Sequence, residues 1–120
     1  MADARKLLGR MGEEAAARYL EKKGCRILSR NHCCRLGELD LVVSDGDVLV
    51  FVEVRARTGE EYGLAQESIT GRKKSRLRLL AWQYLKEKGK TGSMCRFDVI
   101  AVLFDREGRV KRLEHFENAF

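Results

Sequence analysis

The chain has 120 residues, and its 24 Lys and Arg against 18 Asp and Glu leave a formal charge of +6. That length holds one hydrophobic core, so a single domain over residues 1–120 is expected, and 44% apolar residues exclude a wholly disordered chain. The longest apolar run, Val99 to Phe104, is six residues against the roughly 18 of a membrane helix, and the Met1–Lys6 start lacks the apolar stretch of a secretory signal, so a soluble cytoplasmic protein without a membrane partner is expected.

From Asp3 to Lys23, Leu7, Leu8, Met11, Ala15, Tyr19 and Leu20 recur at steps of three and four, which predicts an amphipathic helix stopped by Gly24. Gly9 and Gly12 inside it cost up to about 1 kcal/mol each relative to Ala; either they permit a close backbone approach or the first turns are frayed. Three strands follow, over Cys25–Asn31, Gly37–Val43 and Val48–Arg55, and the Asp45-Gly46 pair between the last two is a hairpin signal. Arg57–Ala65 reads as a loop. A second helix is predicted over Gly71–Lys88, with Thr70 as its N-cap and Leu77, Leu80, Ala81, Tyr84 and Leu85 as its apolar stripe. A strand over Arg96–Phe104 and a turn at Asp105–Gly108 lead into a last strand, Val110–Phe116. This order predicts an α/β domain with a mixed central sheet flanked by helices.

Cys33 and Cys34 are adjacent, Cys25 and Cys95 stand apart, and there is no Cys-x-x-Cys pair. Four free thiols serving as small apolar residues are therefore expected, rather than a zinc site or disulfides. Arg96 and Asp98 share a strand face and read as a surface ion pair worth about 0–1 kcal/mol. Trp82 lies off the apolar stripe; it reads either as a stacking platform or as packing on the edge of the core.

The chemistry concentrates on the hairpin. Residues two apart share a strand face, so Glu38 joins Asp40, and Glu53 joins Arg55. A two-residue loop would set Asp40 opposite Phe51 with Glu53 on the diagonal, whereas a four-residue loop would set Asp40 directly opposite Glu53. Either register puts the two carboxylates on one face, with Cβ atoms roughly 5 Å apart if opposed or 7–8 Å apart on the diagonal. Paired carboxylates repel, and a hard divalent cation such as Mg²⁺ (or Mn²⁺) resolves the conflict by taking both as oxygen ligands. Such an ion activates water against a phosphodiester, with Arg55 or Arg57 available to neutralise charge on the phosphate. On spacing alone the pattern equally describes a solvent-facing sheet with Glu38 and Glu53 paired to Arg35, Arg55 and Arg57. The segment Arg72-Lys73-Lys74-Ser75-Arg76-Leu77-Arg78 has five basic residues in seven at a helix start, where the helix dipole disfavours cations unless a polyanion approaches. It reads as a nucleic-acid contact or as a solvated basic face.

Taken together, Gly9-x-x-Gly12-Glu13, Ala16-x-x-Tyr19-Leu20, Asn31, Gly37-Glu38-Leu39-Asp40-Leu41, Phe51-Val52-Glu53-Val54-Arg55-x-Arg57, Arg96-Phe97-Asp98-Val99 and Glu117-Asn118-Ala119-Phe120 resemble the bacterial YraN-like family. That family is related to the restriction-endonuclease-like superfamily with its PD-(D/E)xK motif, which includes Holliday-junction resolvases. The resemblance implies an αβββαβ core and a metal-dependent DNA endonuclease, acting on branched or damaged DNA and working as a homodimer. It implies that Asp40 and Glu53 are the motif acids and metal ligands, with the Val54 carbonyl as a third ligand. It further implies that Glu13 completes the site from the first helix and that Glu38 supports it. Position 55 departs from the pattern: the family usually has Lys, and Arg stays protonated and cannot act as a base. Lys73 from the second helix is the alternative lysine. DNA would be held by Arg57, Arg72, Lys73, Lys74 and Arg76. Two other functions stay open: a non-catalytic nucleic-acid-binding module on a degenerate nuclease fold, and a protein-interaction adaptor using Trp82 and Leu79.

Overall fold

The computed structural model describes residues 3–59 and 69–120. Helix α1 spans Ala4–Lys22, and the Asp3 side chain caps it by accepting from the Arg5 N–H at 2.9 Å. Strands β1 (Arg26–Cys34), β2 (Gly37–Asp45) and β3 (Val48–Thr58) follow, then helix α2 (Gly71–Glu87) and strands β4 (Met94–Phe104) and β5 (Val110–Phe116). The Thr70 hydroxyl caps α2 by accepting from the Lys73 N–H at 3.1 Å.

The five strands form one mixed sheet in the order β1-β2-β3-β4-β5. Neighbours are antiparallel except β3 and β4, which run parallel because α2 carries the chain back across the sheet. This is the α/β arrangement expected, and its element order is consistent with an αβββαβ core. Alternation divides the strands between two helices. Leu41, Val43, Val50, Val52, Ile100 and Val102 pack under Ala16, Ala17 and Leu20 of α1, while Val42, Leu49 and Phe51 meet Leu77, Leu80, Ala81 and Tyr84 of α2. Among the described residues, no helix is long and apolar enough to cross a membrane.

The register of the hairpin follows from its turn. Asp45 pairs with Val48 and Leu41 with Val52, leaving Gly46 and Asp47 as the connection. Gly46 has φ 61°, the left-handed conformation that a tight hairpin turn requires and that glycine adopts without a Cβ penalty. This is the register of the four-residue alternative, closed by one further strand pair.

Several local expectations are corrected. β3 continues through Arg57 and Thr58, because β4 offers parallel partners as far as Phe104; Arg57 is therefore a strand residue. Positions 60–65 of the expected loop lie outside the described residues. β1 runs three residues beyond Asn31, to Cys34. All four cysteines are free thiols, but Cys33 and Cys95 are exposed, so the role of a small apolar residue belongs to Cys25 and to Cys34, which packs partly buried against the α2-side core. Trp82 is 48% exposed and does not pack on the core edge.

The Arg96–Asp98 pair is no surface pair. Asp98 is fully buried and receives Nε and Nη2 of Arg96 at 2.9 and 3.0 Å. It also contacts His115 Nε2 at 2.7 Å and accepts the Asn118 N–H at 3.1 Å. The Tyr19 hydroxyl meets the other ring nitrogen of His115 at 3.1 Å. The network ties α1, β4, β5 and the C-terminal segment together.

The two glycines of α1 predict opposite effects. A Cβ at Gly12 would lie 2.7 Å from Cβ of Ala56, whereas a Cβ at Gly9 meets nothing within 4 Å. Gly9→Ala is expected to stabilise the protein by up to about 1 kcal/mol through helix propensity. Gly12→Ala is expected to destabilise it by about 1–3 kcal/mol, since strand and helix must separate. Urea unfolding of the two variants measures both signs.

Candidate functional site

β2 and β3 pair as far as Leu41 and Val52, and continuing that register by one residue sets Asp40 opposite Glu53. Asp40 and Glu53 both border a small space that Phe51 and Leu77 also line. Beyond the last ladder pair, the Val54 N–H is taken by the Asp40 carboxylate at 2.9 Å. A strand residue's N–H and C=O point to the same neighbour, so the Val54 carbonyl also faces the β2 side.

Asp40 is the centre of the arrangement. Its carboxyl contacts that of Glu53 within hydrogen-bonding range. Carboxylate oxygens of Glu13, Glu38 and Asp40 all lie within 4.8 Å of one another. Glu13 comes from α1, and the strand pair brings the other three. Leu39, Phe51, Leu77, Phe97 and Phe120 line the small space, about 10 Å³, next to Asp40 and Glu53. This apolar wall keeps water from one side of the pair. Burial first, and then the charge and hydrogen bond of Glu53, push the Asp40 carboxyl up to about 8. Burial, followed by the charge of Glu38, also raises Glu13 above its ordinary range, against a hydrogen bond from Asn31.

One of these residues, Asn31, is given no role by the sequence. Asn31 has φ 51°, a conformation that Asn tolerates better than most residues. With its amide nitrogen turned to the acids, it donates to Glu13 at 2.8 Å and to Glu38 at 2.9 Å. Glu38, expected as a supporting residue, belongs to the tight acidic trio, while Glu53 meets Asp40 from β3 outside that trio. The retrievable signal was Asn31 itself, a turn-former inside a strand-like run.

Lys73 is the cation that α2 delivers to the acids. Its Nζ lies 3.4 Å from Oε1 of Glu53, whose side chain is 8% exposed. Arg55 is half-buried two residues beyond Glu53 on the same strand face. Arg57 is exposed at the end of β3, and Arg72 and Arg76 are exposed on α2, where Lys74 is half-buried. The first turn of α2 holds no acid, so these cations stand at the positive end of the helix dipole. Lys6, Gly9 and Arg10 join Glu13, Asn31 and Glu38 around an open cleft of about 410 Å³ on the α1 side.

Geometry thus brings together Glu13, Glu38, Asp40, Glu53, Lys73 and the Val54 backbone. The exposed cations Arg57, Arg72 and Arg76 lie outside that contact set. The donor chemistry is entirely hard oxygen, which suits Mg²⁺ or Mn²⁺ better than a soft metal.

Residues 12–102 match the uncharacterised protein family UPF0102. The chain is 48% identical to a UPF0102 protein of Moorella thermoacetica over the whole of both chains. It is 45% identical to one of Desulforamulus reducens over 99% of each, and 50% identical to one of Frankia casuarinae over 98% of each.

Proposed function

The chain belongs to the UPF0102 family, and for this member we propose a Mg²⁺- or Mn²⁺-dependent DNA endonuclease of the restriction-endonuclease-like kind, acting on branched or damaged DNA in the cytoplasm. The carrying observation is the convergence of three carboxylates, those of Glu13, Glu38 and Glu53, on Asp40. A purely structural sheet gains nothing from such crowding, whereas a divalent cation converts it into a binding site. Glu13, Asp40, Glu53 and the Val54 carbonyl would hold the ion, with Glu38 and Asn31 orienting Glu13 from behind. A bound ion supplies Lewis-acid polarisation of a phosphate oxygen and lowers the pKa of its water.

The remaining work falls to the chain's own cations. Lys73 holds Glu53 in place and would orient the attacking water beside it. Arg55, which replaces the usual lysine, keeps its proton and neutralises charge on the scissile phosphate. Arg57, Arg72, Lys74 and Arg76 hold the flanking backbone through salt-dependent phosphate contacts. A homodimer would present two such sites to a symmetric junction.

The test is incubation of purified protein with supercoiled plasmid and a four-way junction, with Mg²⁺, Mn²⁺ or chelator. Cutting that needs the metal, and falls about 10²-fold or more in Glu53→Ala, is expected. Metal-dependent cutting that survives Glu53→Ala unchanged belongs to a contaminant and removes the proposal. Lys73→Met is expected to slow cutting about 10²-fold with little change in duplex binding; an equal loss in both would make Lys73 a DNA-holding residue only.

Arg55 favours one second reading, a nucleic-acid-binding module that has lost cleavage. Arg55→Lys separates the two: cutting that appears only in that variant identifies the natural chain as a degenerate nuclease.

A further inference from the structure

Helix α2 is cationic far beyond the acidic site. It carries Arg72, Lys73, Lys74, Arg76, Arg78 and Lys86 against a single acid, Glu87, and Glu87 is turned to His32 on β1, with Oε2 3.2 Å from the ring. The helix face opposite the buried stripe is therefore uncompensated by acids of its own. Along it, Arg72, Ser75, Leu79, Trp82 and Lys86 recur at steps of three, four, three and four, and all five are exposed. Leu79 is 55% and Trp82 48% exposed, adjacent apolar groups set inside a basic ridge. The Lys86 ammonium lies 5.7 Å from the centre of the Trp82 ring.

We propose that this outer face of α2 is a track for single-stranded DNA, with Trp82 as a platform on which an unpaired base stacks. Three observations agree on the occupant. A ridge carrying Arg72, Arg76 and Lys86 complements a phosphodiester backbone. An aromatic ring among cations is the arrangement that sequence-tolerant single-strand binders use, since every base has a stackable face. The helix also connects the ridge to the acids: Lys73 touches Glu53, and nine residues at about 1.5 Å each place Trp82 some 13 Å further along the axis. A strand leaving the acidic site would reach the ring within a few nucleotides. A duplex keeps its bases stacked inside and gives the indole no partner. The inference rests on the DNA-binding part of the proposed function and assigns the form of DNA: a substrate with an unpaired segment beside the scissile bond.

Trp82 is the only tryptophan in the chain, so its fluorescence reports this face directly. Oligothymidylate, oligouridylate and a blunt DNA duplex are titrated into the protein in chelator, where no cutting occurs, and affinities are also read by anisotropy of labelled strands. Oligothymidylate is expected to quench the indole, and the duplex is not. Trp82→Ala is expected to weaken oligothymidylate binding about tenfold, the size of one base stack, and to leave duplex affinity unchanged. Trp82→Phe, which keeps an aromatic plane, is expected to recover most of the loss. The proposal is overturned if Trp82→Ala binds the single strand as tightly as the natural chain. It is also overturned if oligouridylate binds tenfold tighter than the DNA strand, which would make RNA the occupant, or if Trp82→Ala dissociates a dimer, which would make the face self-associating. Quenching without metal-dependent cutting keeps this inference and removes the nuclease; cutting with an unchanged Trp82→Ala variant does the reverse.

Discussion

Replacing Asp40 by asparagine is expected to abolish metal-dependent cutting and, at the same time, to make the metal-free protein more stable. Asparagine has the same shape and its carbonyl oxygen can still accept the Val54 N–H that Asp40 holds at 2.9 Å. What it removes is the charge, which meets those of Glu53, Glu13 and Glu38. Without that charge the ion loses a central ligand, and cutting should fall about 10³-fold or to background. The fold, in contrast, loses a repulsion.

The pH dependence gives the sign. The Asp40 carboxyl is pushed from 3.8 up to about 8 by burial and by Glu53. In the folded protein its protonated form is favoured, so its contribution to stability is complete below about pH 4 and drains away as pH rises to about 8. At about 1.4 kcal/mol per pH unit of imbalance, the loss is on the order of a few kcal/mol. Urea unfolding of the metal-free natural chain should therefore weaken across this window, and the Asp40→Asn variant should be flatter. Metal affinity runs the other way, rising toward about pH 8 because the ion must displace the proton. An Asp40→Asn protein that is less stable at neutral pH, or that still cuts, would contradict the account of this site.

The second large effect is structural. Asp98→Ala should cost about 3–5 kcal/mol, because it leaves Arg96 and His115 facing a buried hole, and among the described residues only the exposed Asp45, 3.4 Å from Arg96, remains as a carboxylate partner. For a domain whose total stability is about 5–15 kcal/mol, that is enough to unfold much of it at body temperature. Asp98→Asn, which keeps an acceptor but not the charge, should cost less. Burial works to raise the Asp98 carboxyl, but the hydrogen bonds from Arg96, His115 and the Asn118 N–H outweigh it and hold it below the ordinary carboxylate range. Its stabilising contribution is thus present above about pH 4 and is lost as pH falls through the lowered value. Acid unfolding of the natural chain should include this component, and Asp98→Ala should lack it. A loss under about 1 kcal/mol in Asp98→Ala would place the pair back among weak surface contacts.

These two carboxylates show what can be read from local pattern. Asp40 and Glu53 were legible as same-face neighbours because strand alternation survives either hairpin register. Their direct opposition was not, since it depends on whether the turn closes with Asp45 opposite Val48 or with Ser44 opposite Asp47. Asp98 sits two residues from Arg96 in the sequence, which suggests an exposed pair. Its burial depends on His115, Asn118 and Tyr19 arriving from β5, the C-terminal segment and α1. Trp82 was readable as lying off the apolar stripe, but its exposure reflects that no other described element covers that side of α2.

By itself the sequence determined the element order, the two helix caps, the hairpin and the face on which the paired acids stand, because these follow from periods of 3.6 and 2 and from turn chemistry acting over a few residues. Only the tertiary structure decided that Glu13 reaches Asp40 across the α1–sheet interface, that Asn31 turns back to hold Glu13 and Glu38, and that Lys73 rather than position 55 supplies lysine to Glu53. Those contacts join side chains from elements far apart in the chain. Their distances are set by how the two helices settle on opposite faces of the sheet, a property of packed volumes that no local pattern encodes.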